Sequence, residues 1–237
     1  MYYITFNNDE IPINKIEEIY KIQNPHNVRK LYLTNINFTS LPHNIFNELT
    51  QLQILTLSDN KLSSLPHNIF NELTQLQGLN LSFNNFTSLP HNIFNSLTQL
   101  QGLNLSNNNL TLLPENIFNS LTQLQRLHLS YNNFTSLPHN IFNSLTQLQE
   151  LYCKKNPLSI LPSLKNLSKI RRLQCNYSKI KNLPISIRHC KKINYYNTEF
   201  DIPDYKYIND LPYLVNKEIE KYYYKPVLDY YNSKYLK

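Results

Sequence analysis

The sequence has only two glycines, Gly78 and Gly102, and no tryptophan. With so few glycines it holds neither of the Gly-rich loops that cradle phosphates, which removes the usual starting point for nucleotide chemistry. Its three cysteines, Cys153, Cys175 and Cys190, contain no C-x-x-C pair. That odd, widely spaced set excludes a disulfide framework and a cysteine zinc site. No stretch approaches the roughly 18 apolar residues of a membrane-spanning helix. The opening MYYITFNNDEIPINK lacks the basic segment and apolar run of a secretory leader, so an intracellular, cytoplasmic location is expected. No H-E-x-x-H occurs and no Ser-His-Asp set can be nominated, so the reading expects no enzyme, metal or cofactor.

One stretch also lacks acidic residues. Residues 151–192 hold 11 Lys/Arg and no Asp/Glu. The formal charge of +7 divides into −3 over residues 1–150 (6 basic, 9 acidic) and +10 over 151–237 (17 basic, 7 acidic). An asymmetry of this kind bears on the choice of partner more than on the fold.

What is abundant is repetition. Leu31, Leu55, Leu79, Leu103, Leu127 and Leu151 recur at 24-residue steps, and the marker then moves to Leu173 (a step of 22) and Ile193 (a step of 20). A fixed period of this length signals stacked repeats, each burying its apolar side on its neighbours. The unit is clearest from Leu76 to Leu100, LQGLNLSFNNFTSLPHNIFNSLTQL, which is followed at once by a near copy. Leu52, Leu55, Leu57, Asn60 and Leu62 spell L-x-x-L-x-L-x-x-N-x-L, and Leu65, Pro66, Phe70 and Leu73 continue it as L-P-x-x-x-F-x-x-L. These strings resemble the leucine-rich repeat family in its 24-residue variety, over about residues 28–200. The Asn-, Lys-, Ile- and Tyr-rich composition is similar to that of leucine-rich repeat proteins of large DNA viruses of protists or of their hosts. The resemblance implies an α/β fold, a right-handed solenoid or horseshoe with parallel strands on its concave face and a cap at each end.

Three domains follow. Residues 1–27 form an N-terminal cap, with a strand over Tyr2–Phe6 and an amphipathic stretch opened by Pro12 that sets Ile13, Ile16, Ile19 and Tyr20 at helical spacing. Residues 28–200 form about eight coils, the last two shortened. Residues 201–237 form a Tyr/Lys-rich cap, with a helix from about Leu211 that ends before Pro226. Within the coils the two leucines of L-x-L point inward, and Thr56 and Ser58 point out into the concavity. Cys153 and Cys175 take the place of the second leucine and read as core. Asn60, Asn84, Asn108, Asn132 and Asn156 line up where the chain turns inward, and a buried amide there can serve backbone groups of two coils. Phe46, Phe70, Phe94, Phe118 and Phe142 form a second column. The repeated His43, His67, His91 and His139 read as a solvated outer column produced by duplication.

Only the outward strand positions vary from coil to coil. In the central copies they are Gly, Asn and Ser; later they become Arg126, His128, Tyr131, Tyr152, Lys154, Lys155, Arg172, Tyr177, Lys192 and Tyr196. Arg and Tyr are favoured at protein interfaces because they combine contact area with hydrogen bonding. The reading is a non-enzymatic protein-interaction scaffold that binds an acidic protein through the C-terminal half of its concave face. One alternative is binding of nucleic acid or an anionic membrane surface by the basic 151–192 stretch. Another is a substrate-receptor subunit of a larger complex, although 27 residues are short for an adaptor-binding domain.

Overall fold

The computed structural model describes residues 2–6, 9–13, 16–180, 190 and 192–194. Strands β1 (Tyr2–Phe6) and β2 (Asp9–Ile13) precede eight three-residue strands. These are β3 (Lys30–Tyr32), β4 (Ile54–Thr56), β5 (Gly78–Asn80), β6 (Gly102–Asn104), β7 (Arg126–His128), β8 (Glu150–Tyr152), β9 (Arg172–Gln174) and β10 (Lys192–Asn194). All ten form one sheet in the order β10-β9-β8-β7-β6-β5-β4-β3-β1-β2. From β3 to β10 every pairing is parallel and in register, so Leu31, Leu55, Leu79, Leu103, Leu127, Leu151, Leu173 and Ile193 stand side by side. The shortened last steps therefore preserve strand register and lose residues elsewhere in the coil.

The coils stack into a solenoid with the parallel strands side by side along one face. The central leucine of each strand from β3 to β9 is buried, because alternation sends it inward while its two neighbours face out. Each coil closes through a return limb of tight turns: Ile69 N donates to Pro66 O, Leu73 N to Phe70 O and Leu76 N to Leu73 O. Under that limb, Phe46, Phe70, Phe94 and Phe118 stack with centroids 6.5 Å apart and planes 12–13° apart. Phe142 is equally buried at the next step. Each fully buried leucine or phenylalanine contributes on the order of 1.5–3 kcal/mol.

The asparagine column is buried, and each amide joins two coils. Asn108 Nδ2 donates to Leu81 O of the preceding coil and to Leu105 O and Ser106 O of its own, while its Oδ1 accepts from Phe86 N. Where Ser178 ends the column, its hydroxyl donates to Cys175 O, a bond within its own coil. The three cysteines are buried; burial pushes Cys153 up to about 12 and Cys175 well above its ordinary value.

Two expectations need correction. The stretch opened by Pro12 is not helical: Asp9–Ile13 is the edge strand β2, antiparallel to β1, and only Ile16–Lys21 winds, as a 3-10 segment. Proline is tolerated on an edge strand because a ladder donor can be spared there. Of the apolar residues at helical spacing, Ile19 is buried and Tyr20 is exposed. Ser58, expected to face out, is also buried, as are Ser82, Ser106 and Ser130. The chain is already turning inward at that position, so only Thr56 of the pair stays on the open face. The expected C-terminal cap, residues 201–237, lies outside the described residues.

Candidate protein-binding face

The strand edges and the turn after each strand position the candidate residues. Arg126 and His128 flank Leu127 on β7; Glu150 and Tyr152 flank Leu151 on β8; Arg172 and Gln174 flank Leu173 on β9. Parallel register sets Arg126 beside Glu150, Glu150 beside Arg172, and Arg172 beside Lys192. The backbone of Lys192 is placed by this pairing, while its side chain and Tyr196 lie outside the described residues.

Tyr152 is the hub of these strands. The His128 ring stacks on it at 4.2 Å between centroids. Its hydroxyl donates to Glu150 Oε2 at 2.8 Å and accepts from Arg172 Nη1 at 2.9 Å. Arg172 Nη1 also lies 3.5 Å from Glu150 Oε1. The Tyr152 hydroxyl is held above its usual range, chiefly because the site withdraws it from water. His128 titrates below its ordinary value: burial dominates and Arg126 adds to it, against the pull of Glu150. Arg172 is therefore already paired, and it stiffens the platform more than it reaches out. Glu150 belongs to the site although charge alone would have left it out. Its signal in the sequence is positional, a lone carboxylate one repeat from each of two arginines.

The turn after each strand carries a second row. Asn35, Asp59, Phe83, Asn107, Tyr131, Lys155 and Tyr177 occupy one column and all have positive φ, from 53 to 58°. Tyr131 and Tyr177 are exposed there. Lys154 Nζ stands 5.5 Å from the Tyr131 centroid, and Lys155 Nζ stands 3.9 Å from that of Tyr177. Lys154 takes the place of the buried serines, so its stem is half-buried while its ammonium reaches the neighbouring ring. The site thus joins Arg126, His128, Tyr152 and Arg172 on the strands to Tyr131, Lys154, Lys155 and Tyr177 on the turns.

The family models agree with this architecture. One described as a leucine-rich repeat region matches residues 70–195, and a second, described as leucine rich repeat, matches residues 26–86. The chain belongs to the leucine-rich repeat family. Among solved structures, a leucine-rich repeat protein of Leptospira interrogans is similar, with 28% identity, a TM-score of 0.60, and coverage of 79% of this chain and 53% of that one. The APL1 leucine-rich repeat domain is similar at 25% identity and a TM-score of 0.65, over 68% of this chain and 42% of that one. This leucine-rich repeat chain thus spans about half the length of those solved chains. No curated protein matches the sequence. Leucine-rich repeats are generally non-enzymatic protein-interaction scaffolds. Among the described residues no helix is long and apolar enough to cross a membrane, and no group of three or more His, Cys, Asp or Glu could hold a metal ion.

Among the described residues, the basic side chains of the 151–192 stretch do not share one surface. Lys154, Lys155 and Arg172 belong to the strand side, whereas Lys165 and Lys169 are exposed on the return limb. Arg171, just before β9, bonds the Gln149 side chain.

Proposed function

We propose that this leucine-rich repeat protein is a non-enzymatic binding scaffold that takes an acidic protein partner on the C-terminal half of its concave face. The observation that carries the reading is the Tyr152 platform, where stacking, two hydrogen bonds and an ion pair hold side chains in fixed positions beside two lysines. Pre-ordered aromatic and cationic groups lose little conformational freedom on binding, which raises affinity for a matching surface. The split of the basic residues around the coil favours a protein partner over a nucleic acid or anionic lipid, which would be served by one continuous basic stripe.

Affinity capture with mass spectrometry, at two salt concentrations, compares the wild-type chain with Lys154→Glu/Lys155→Glu. A protein captured by the wild type should be lost from the variant, and equal capture by both would remove the site assignment. Titration with random RNA, random DNA and anionic vesicles tests the polyanion alternative. Strong binding that collapses with salt would favour that alternative over a protein partner.

A further inference from the structure

The positive-φ column after the strands carries Lys155 and two further kinds of residue. Asn35, Asp59 and Asn107 are what such backbone prefers, since their short polar side chains tolerate left-handed geometry. Phe83, Tyr131 and Tyr177 are not: a bulky residue in that region is an outlier. Nor does the core use these rings, because Phe83 is 53% exposed, Tyr131 43% and Tyr177 38%. The fold would be better served by asparagine at all three places, as Asn107 demonstrates between two of them. Backbone strain borne by exposed aromatic side chains points to contact with something outside the chain.

The spacing is regular. The rings stand on alternate coils, β5, β7 and β9, so successive rings are two strand spacings apart, about 10 Å. A peptide in the polyproline II conformation has about three residues per turn and rises about 3.1 Å per residue, so every third side chain falls on the same face about 9 Å further on. Cations are interleaved at the C-terminal end, with Lys154 beside Tyr131 and Lys155 between Tyr131 and Tyr177 in the column. The column's one carboxylate is Asp59, at the opposite end.

We infer that Phe83, Tyr131 and Tyr177 form a docking ridge for an acidic peptide segment of the partner in the polyproline II conformation. Apolar side chains at every third position of that segment lie against the rings, and its carboxylates meet Lys154 and Lys155. The charge gradient from Asp59 to Lys155 orients it, with the acidic end toward β9. The inference rests on the protein-binding reading and extends the surface two coils toward the N-terminus, to Phe83.

The test uses the full chain and a random dodecapeptide library displayed on phage. Selection should enrich acidic peptides with apolar residues three apart. A synthetic peptide of the enriched sequence should bind Phe83→Asn/Tyr131→Asn at least about tenfold more weakly than wild type, the scale of interface anchor residues. Thermal unfolding of that variant should occur at the same or a higher temperature, because asparagine suits the backbone there. Equal binding by both chains, or no enriched peptide, overturns the ridge. If Lys154→Glu/Lys155→Glu abolishes binding while Phe83→Asn/Tyr131→Asn does not, the ridge falls and the scaffold reading stands. If neither variant alters binding, both fall.

Discussion

Replacing Asn60 with leucine should destabilise the protein far more than the same change at Asn108, although the two asparagines occupy equivalent positions. At Asn108 the amide shares its work. Leu81 O also accepts from Asn84 Nδ2, Leu105 O also accepts from Asn132 Nδ2, and Ser106 O also accepts from Phe83 N. Asn108→Leu therefore strands one group, the N–H of Phe86 that donates to Oδ1. Asn60 stands at the head of the column, where Ile36 replaces the preceding asparagine. Its Oδ1 accepts from both Ile36 N and Phe38 N, and its Nδ2 serves Leu33 O with no second asparagine to share it. Asn60→Leu thus strands two N–H groups and one carbonyl. At about 1–3 kcal/mol for each buried unsatisfied group, Asn108→Leu should lose roughly 1–3 kcal/mol and Asn60→Leu two to three times as much. Urea unfolding at equilibrium gives both values, and hydrogen exchange should show the Asn60→Leu loss concentrated in β3 and β4. Equal losses, or a larger loss at Asn108, would refute the idea that overlapping amides protect the interior of the column.

Two further outcomes are expected. Phe94→Ala removes a buried ring stacked on both Phe70 and Phe118 and should cost about 3–5 kcal/mol in urea unfolding; a loss below about 1 kcal/mol, little more than one buried methylene, would show that the ring does not contribute even its burial. His128 resists protonation when folded, so the unfolded chain binds the proton first as pH falls through its ordinary 6.5, and stability drops in that range. His128→Gln should therefore flatten the fall in unfolding temperature between neutral and mildly acidic pH, and an unchanged slope would mean that another group causes it.

The array was legible in the sequence because its leucine, asparagine and phenylalanine columns answer to geometry that every coil repeats. A strand exposes alternate residues, an inward turn leaves backbone groups to satisfy, and one missing leucine would leave a hole. The N-terminal segment was not, since Ile13, Ile16, Ile19 and Tyr20 fit a helical period by chance while pairing with β1 decides the local structure. The two asparagines between β1 and β2, Asn7 and Asn8, were the available hairpin signal. At the candidate site, spacing identified the outward columns and placed Arg126, His128, Tyr152 and Arg172 on neighbouring strands. It did not foresee that Tyr152 and Glu150 hold Arg172, because that depends on side-chain reach across β8 and β9. It also misjudged the serine position, where the chain leaves the strand plane earlier than simple alternation implies.

The phenylalanine stack measures the bend of the molecule. Its rings are 6.5 Å apart on the outer side and turn by 12–13° at each step, while parallel strands on the inner side keep a spacing of about 4.8 Å. Over the three steps from Phe46 to Phe118 the rings turn by about 37° in all, which corresponds to an inner radius of roughly 23 Å. Such an arc is an open wall and not a ring. The proposed peptide segment would lie along this wall without being encircled and could leave by the way it came, so its release would need no opening of the solenoid.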